Sequence, residues 1–262
     1  MSHPLPPHDN DPAPAIRLHA AGLELGGRVL FEALDLDLPA GLTTCLLGPS
    51  GVGKTSLLRL IAGLTDSVQG DALDEQGQPV ADRIAYMAQQ DLLLPWLSVL
   101  GNVTLGPRLR GELRDPAVQA RARRLIAAVG LSGHERDRPA ALSGGMRQRV
   151  ALARTLMEER PIVLMDEPFA ALDAITRFEI QGLAADLLRG KTVLLVTHDP
   201  LEALRLGHRI HVMAGRPARL DNGLVPPDTP PRELSDPALL ALQAELMTRL
   251  AQARDAGRAA AA

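Results

Sequence analysis

The chain has 262 residues, room for one large domain or two small ones. With 46% hydrophobic and 23% charged residues it can bury a full core, and a net charge of −3 lacks the basic excess of a nucleic-acid binder. A single cysteine, Cys45, excludes an internal disulfide and any cysteine-based metal cluster. No apolar run approaches the ~20 residues that cross a bilayer. The opening MSHPLPPHDNDPAPA has neither the positive n-region nor the apolar h-region of a secretory signal. The expectation is a cytosolic chain, or one attached to a membrane through another chain. Aromatic residues make up only 2%, so the core must be aliphatic.

Residues 1–15 carry five prolines and no apolar period, and read as a disordered tail. Ala33 to Leu38 alternates apolar and polar, which predicts a strand with one face in the core. Thr43 to Leu47 is a short apolar run that ends in a glycine-rich loop. Leu57, Leu58 and Ile61 then sit at helical spacing. Strand, glycine loop and helix in about twenty residues open a parallel nucleotide-binding sheet. Residues 95–158 have helical patterns, among them Ala117 to Val129, and read as a helical subdomain inserted in the sheet domain. Ile162 to Met165 and Thr192 to Val196 are continuous apolar runs, as parallel strands covered on both faces require. Ile210 to Met213 predicts another strand. Leu224 to Pro231 is proline-rich and reads as a linker. Leu239, Leu242, Leu246 and Leu250 predict a terminal helix that docks on the core, with 254–262 fraying. Arg121, Arg123 and Arg124 read as a solvated helix face. His208 and His211 lack companions for a metal site, and Cys45 reads as core packing.

Three motifs carry chemistry. Gly48-Pro49-Ser50-Gly51-Val52-Gly53-Lys54-Thr55 matches G-x-x-x-x-G-K-[ST] between a predicted strand and helix. Its glycines let successive N–H groups point at phosphate oxygens, and the helix start adds its positive end. Lys54 supplies a cation to the β and γ phosphates, and Thr55 a hydroxyl to Mg²⁺. The strand Ile162 to Met165 runs into Asp166 and Glu167, two carboxylates at the edge where parallel sheets bind ligands. Asp166 suits Mg²⁺ and Glu167 suits a general base. The third motif is Leu142-Ser143-Gly144-Gly145-Met146-Arg147-Gln148-Arg149, a capped helix start with exposed N–H groups and therefore a second phosphate site.

This third motif resembles the signature sequence of ATP-binding-cassette (ABC) ATPases, usually L-S-G-G-Q, with Met146 in the last place. The resemblance covers about residues 16–220, with the motifs in order. It implies an α/β P-loop NTPase fold with a mixed, mainly parallel sheet core, an N-terminal antiparallel β part and an inserted helical subdomain. It implies ATP and Mg²⁺ as ligands. The phosphate loop extends through Ser56, and Gln89 matches the Q-loop glutamine that contacts Mg²⁺ and the attacking water, with Gln90 one residue away as the alternative. Ala171-Leu172-Asp173 resembles the D-loop, and His198 the histidine that contacts the γ-phosphate. Most members stack an aromatic residue on adenine. Here the nearest equivalent is Leu25, with Phe31 as an alternative.

The family pairs two cassettes head to tail, so that ATP held at Gly48 to Ser56 of one chain is closed by Ser143, Gly144 and Gly145 of the other. The resemblance therefore implies a homodimer at the cytoplasmic face of the bacterial inner membrane, peripheral, on a separate permease. Residues Gln89 to Val99 would meet that permease, and a solute-binding protein outside would act through it. The wording L-L-P-W-L-S-V resembles importers of nitrate, sulfonates, taurine and pyrimidine thiamine precursors. A soluble ABC ATPase of DNA repair or translation, and an exporter ATPase, are the alternatives. The expected organisation is a tail (1–15), an ABC ATPase domain (16–220), and a linker with a C-terminal helix (221–262).

Overall fold

The computed structural model describes residues 13–65, 69–233 and 235–259. In chain order the elements are β1 (Ile16–Leu25), β2 (Arg28–Leu38), β3 (Thr43–Leu47), α1 (Lys54–Ile61), β4 (Ala72–Leu73) and β5 (Ile84–Met87). Then come α2 (Val99–Val103), α3 (Leu105–Leu109), α4 (Pro116–Ala128), α5 (Gly144–Met157), β6 (Ile162–Asp166) and α6 (Ala174–Leu187). Last are β7 (Thr192–Val196), α7 (Pro200–Leu206), β8 (Arg209–Gly215), β9 (Ala218–Leu220) and α8 (Pro237–Ala259). They fall into two compact units.

The first unit comprises Met1–Ile84, Pro161–Asp166 and Leu188–Ala262. Its strands lie in the order β4-β1-β2-β9-β8-β3-β7-β6. The β1–β2 pair is antiparallel, with Ile16 opposite Leu38 and Leu25 opposite Arg28. Gly26 and Gly27, both at positive φ (59° and 75°), make the two-residue turn between them, as a hairpin of this twist demands. Leu34, Leu36 and Leu38 are buried while Asp35 and Asp37 are exposed, the alternation the sequence shows. Strands β8, β3, β7 and β6 run parallel. Every residue of β6 and β7 is buried, which explains their unbroken apolar runs.

Within this unit α8 packs on β8 and α7. Leu239 and Leu246 are its buried anchors. The helix continues to Ala259, past the point where fraying was expected, and 260–262 lie outside the described residues. Most of the expected N-terminal tail, residues 1–12, also lies outside them. Ala13 is buried, and the Pro14 carbonyl accepts a hydrogen bond from Thr192 Oγ1 at 2.7 Å.

The expected linker at 224–231 is packed. Leu224 is buried and exchanges backbone hydrogen bonds with Ile210. The buried Arg232 guanidinium donates to the carbonyls of Leu204, Gly207, Pro226, Pro227 and Asp228. One side chain thus ties the proline-rich segment to the end of α7. Cys45 is buried, and that burial pushes its thiol pKa well up, which fits packing.

The second unit comprises Ala85–Arg160 and Glu167–Leu187. It extends beyond the expected 95–158 at both ends and takes in α6. Val103, Ile126, Val129, Leu131, Val150 and Ala153 are among its buried aliphatic residues. Ser98 caps α2, accepting from Gly101 N at 3.1 Å, and Asp115 caps α4 ahead of Pro116. Arg121 departs from the solvated face expected of it. It pairs with Glu159 and donates to the Leu156 carbonyl, because its stem reaches the last turn of α5; Arg123 and Arg124 are exposed.

Candidate functional site

In the first unit, β3, β7 and β6 lie side by side and each ends in a residue of interest. β3 runs into the 48–53 loop, β7 into Thr197 and His198, and β6 ends at Asp166. Parallel strands place all three at the carboxyl edge of the sheet, the usual ligand edge. Gly48, Gly51 and Gly53 have φ of 153°, 77° and 114°, a backbone closed to most side chains. A Cβ at Gly48 would lie 2.5 Å from the Met213 carbonyl oxygen, so the loop also needs glycine there for space. Gly53 caps α1 with no side-chain hydrogen bond, so no side chain competes for the helix's first N–H groups.

Lys54 is buried, with Nζ donating to the carbonyls of Gly48 (2.7 Å) and Pro49 (2.9 Å). Its ammonium is therefore held over the loop that its own helix follows. Thr55 Oγ1 donates to Asp166 Oδ2 at 2.7 Å, and Asp166 is 1% exposed. A hydroxyl and a carboxylate at one edge form the all-oxygen donor set that a hard divalent cation takes. His198 is exposed on the bend after β7. Leu25 is 61% exposed at the end of β1, whereas Phe31 is completely buried. Of the two candidates to meet a base, only Leu25 presents a surface.

In the second unit, Glu167 directly follows Asp166 in the chain and takes φ 49°. A non-glycine residue in this region carries strain, which concentrates at functional positions. Gln89 Nε2 donates to Glu167 Oε2 at 3.3 Å. The structure therefore joins Gln89 to the carboxylate. Ser143 caps α5, its Oγ accepting from Met146 N at 3.2 Å. Ser143 and Gly144 are exposed. A Cβ at Gly145 would meet Leu172 and the Ala171 carbonyl at 3.4–3.5 Å, so the segment 171–173 lies against the start of this helix. Asp173 accepts from Thr176 N, a bond that holds its carboxyl below the ordinary range.

Sequence reasoning missed four polar residues around this loop. Asn102, completely buried, donates to the carbonyls of Leu94, Leu97 and Ser98 and accepts from Leu94 N. It fixes the turn that carries Pro95 and Trp96. Trp96 is 65% exposed, so it is no core residue of this chain. Asp91, Arg147 and Arg154 bind one another's segments within the unit. The one available signal was the seven-residue spacing of the two arginines, which puts them on one helix face.

The chain matches the family model described as "ABC transporter" over residues 31–170. It is 44% identical over 240 residues to an uncharacterized ABC transporter ATP-binding protein of Haemophilus influenzae, covering 90% of this chain and 98% of that one. It is 43% identical over 241 residues to the aliphatic sulfonates import ATP-binding protein SsuB of Escherichia coli O1:K1, covering 90% of each. Among solved structures, a dimeric, post-hydrolysis ATP-binding cassette bound to ADP and Pi superposes with a TM-score of 0.70 at 29% identity. It covers 80% of this chain and 98% of that one.

Proposed function

The chain belongs to the ABC transporter family, and on that premise we propose that it is the ATP-hydrolysing subunit of an importer for a small organic solute of the aliphatic-sulfonate class. The observation that carries the solute class is the set of sulfonate-import relatives at 40–44% identity over 87–90% of the chain.

The mechanism follows from the groups in place. The N–H groups of Gly48 and of residues 50–56, with the Lys54 ammonium, bind the phosphates of ATP. Thr55 and Asp166, with Gln89, would hold Mg²⁺, which when bound neutralises charge on the β and γ phosphate oxygens. Water attacks the γ-phosphorus while the bond from that phosphorus to the β-bridging oxygen breaks. ADP leaves, and Glu167 takes the proton lost by the water. The hydrogen bond of Gln89 to Glu167 supports a role for Gln89 in orienting that water. His198 donates to a γ-phosphate oxygen.

Two copies close head to tail, Ser143, Gly144 and Gly145 of each covering the ATP of the other. The dimeric cassette bound to ADP and Pi supports this arrangement. A permease supplies the membrane path, since among the described residues no helix is long and apolar enough to cross a membrane. The segment 89–99, with exposed Leu92 and Trp96, is the surface offered to it. The chain acts as a peripheral subunit at the cytoplasmic face.

Glu167→Gln tests this reading. Hydrolysis should fall by roughly 10²-fold or more with ATP binding retained. The variant, purified from native membranes with ATP and Mg²⁺, should bring a multi-span permease in equal amount. Cells lacking the gene should lose uptake of short alkanesulfonates. Recovery with ribosomes or repair factors and no membrane protein would overturn the importer assignment. Intact sulfonate uptake would overturn the solute class alone.

A further inference from the structure

Helix α5 bonds to the segments that carry the two partners of the Gln89–Glu167 hydrogen bond, and all the residues involved lie in the second unit. Arg147 and Arg154 stand two turns apart on one face of α5. Arg147 Nε donates to Asp91 Oδ2 at 3.0 Å, while its Nη1 donates to the Leu142 carbonyl at 3.0 Å. The Arg154 fork donates to two successive carbonyls, Asp91 at 2.7 Å and Leu92 at 2.8 Å. Asp91 Oδ1 accepts from Leu93 N at 3.2 Å. Leu92 sits at φ 46°, a conformation that an exposed leucine keeps only when its neighbours impose it. Two guanidinium groups therefore fix the backbone two residues beyond Gln89.

The neighbouring residue on the helix does the same for Glu167. Gln148 is buried, and its Nε2 donates to the Pro168 carbonyl at 3.0 Å. Consecutive side chains on the second turn of α5 thus grip the chain beside Gln89 and beside Glu167.

We infer that Arg147, through Asp91, and Gln148, through Pro168, are positioning residues for hydrolysis. They set the approach of Gln89 to Glu167 from the helix whose first turn bears Ser143, Gly144 and Gly145. On the reading above, that first turn covers the ATP of the second copy. A shift of α5 on that ATP would be felt at the chain's own Glu167, which gives each of the two sites a mechanical reading of the other.

The test compares Arg147→Ala, Asp91→Ala and the double variant in the full chain. Each single should lose about 10- to 100-fold in kcat, with KM for ATP within about twofold and an unchanged melting temperature. The double should be no worse than either single, because both cut one link. Arg147→Lys should restore part of kcat. Gln148→Met keeps the volume and removes the donor, and should reproduce the kcat loss. Multiplying losses, a loss confined to KM, or kcat equal to wild type would overturn the inference and leave the ATPase reading standing. A wild-type chain that does not hydrolyse ATP would overturn both.

Discussion

Thr55 Oγ1 donates to Asp166 Oδ2 at 2.7 Å, joining the first turn of α1 to the last residue of β6 across 111 positions of sequence. The bond keeps a hydroxyl and a buried carboxylate together at the edge of the phosphate loop. Thr55→Ser keeps the donor, and its ATPase should stay within about threefold of wild type. Thr55→Val removes it and leaves a buried oxygen without this partner, at a cost of about 1–3 kcal/mol. The Mg²⁺ concentration for half-maximal ATPase should then rise on the order of tenfold, read from a titration at fixed ATP. An unchanged titration midpoint would separate Thr55 from the metal.

The positive φ of Glu167 gives a stability prediction that opposes the activity one. Glycine relaxes at φ 49° and alanine does not. Glu167→Gly and Glu167→Ala both delete the carboxylate, and both should be inactive. Glu167→Gly should nevertheless unfold about 1 kcal/mol later than Glu167→Ala, measured by urea denaturation. Equal midpoints would show that the backbone there carries no strain.

Leu25 is exposed at the end of β1 and is the residue proposed to meet adenine. Leu25→Tyr should tighten ATP binding about fivefold, the equivalent of ~1 kcal/mol of aromatic contact. Inorganic tripolyphosphate has no base, so its binding should not change. Competition against a fluorescent nucleotide checks both. A tyrosine that tightens neither ligand would place the adenine elsewhere.

Acid should loosen the C-terminal helix through Asp221. Burial raises the pKa of this carboxyl. Hydrogen bonds from His211, Val212 N, Arg249 and Gly223 N outweigh that effect and bring it to about 2. A carboxyl held lower in the folded chain than in the unfolded one stabilises the fold at neutral pH. That contribution persists down to the ordinary carboxylate range and is lost as pH falls toward 2. The side chain is 26% exposed, so after solvent screening the gain is about 1 kcal/mol. Urea unfolding of wild type and Asp221→Asn should differ by that amount at pH 6 and converge near pH 2. A gap that persists at pH 2 would mean that Asp221 acts by shape alone.

The parts of this fold legible in the sequence are those with a local pattern. Strand β2 announced itself by alternation at Leu34, Leu36 and Leu38, and β6 by four apolar residues before two carboxylates. The glycines of the phosphate loop are required by backbone angles, so their spacing survives as a readable motif. Arg232 shows the opposite case. Its five carbonyl acceptors come from two segments, 204–207 and 226–228, and no periodicity records such an arrangement. The prolines around it suggested a linker because the residue that binds them down is a single cation outside the run. Asn102 and the Asp91–Arg147–Arg154 cluster were hidden for the same reason. Their hydrogen bonds run to backbone atoms or to residues far off in sequence. Leu25 was legible only as a departure from a family pattern, and its exposure is a fact of the fold.

Trp96 is the only tryptophan in the chain, and it projects from the turn that Asn102 holds. Nearly all the intrinsic fluorescence excited at the red edge of the spectrum therefore comes from one exposed loop. The protein carries its own optical reporter at that spot, with no label to attach. Its emission in water sits at the long-wavelength end of the indole range. A blue shift on adding membranes that contain the permease would time the capture of the subunit, while nucleotide added alone would report only what the loop itself does.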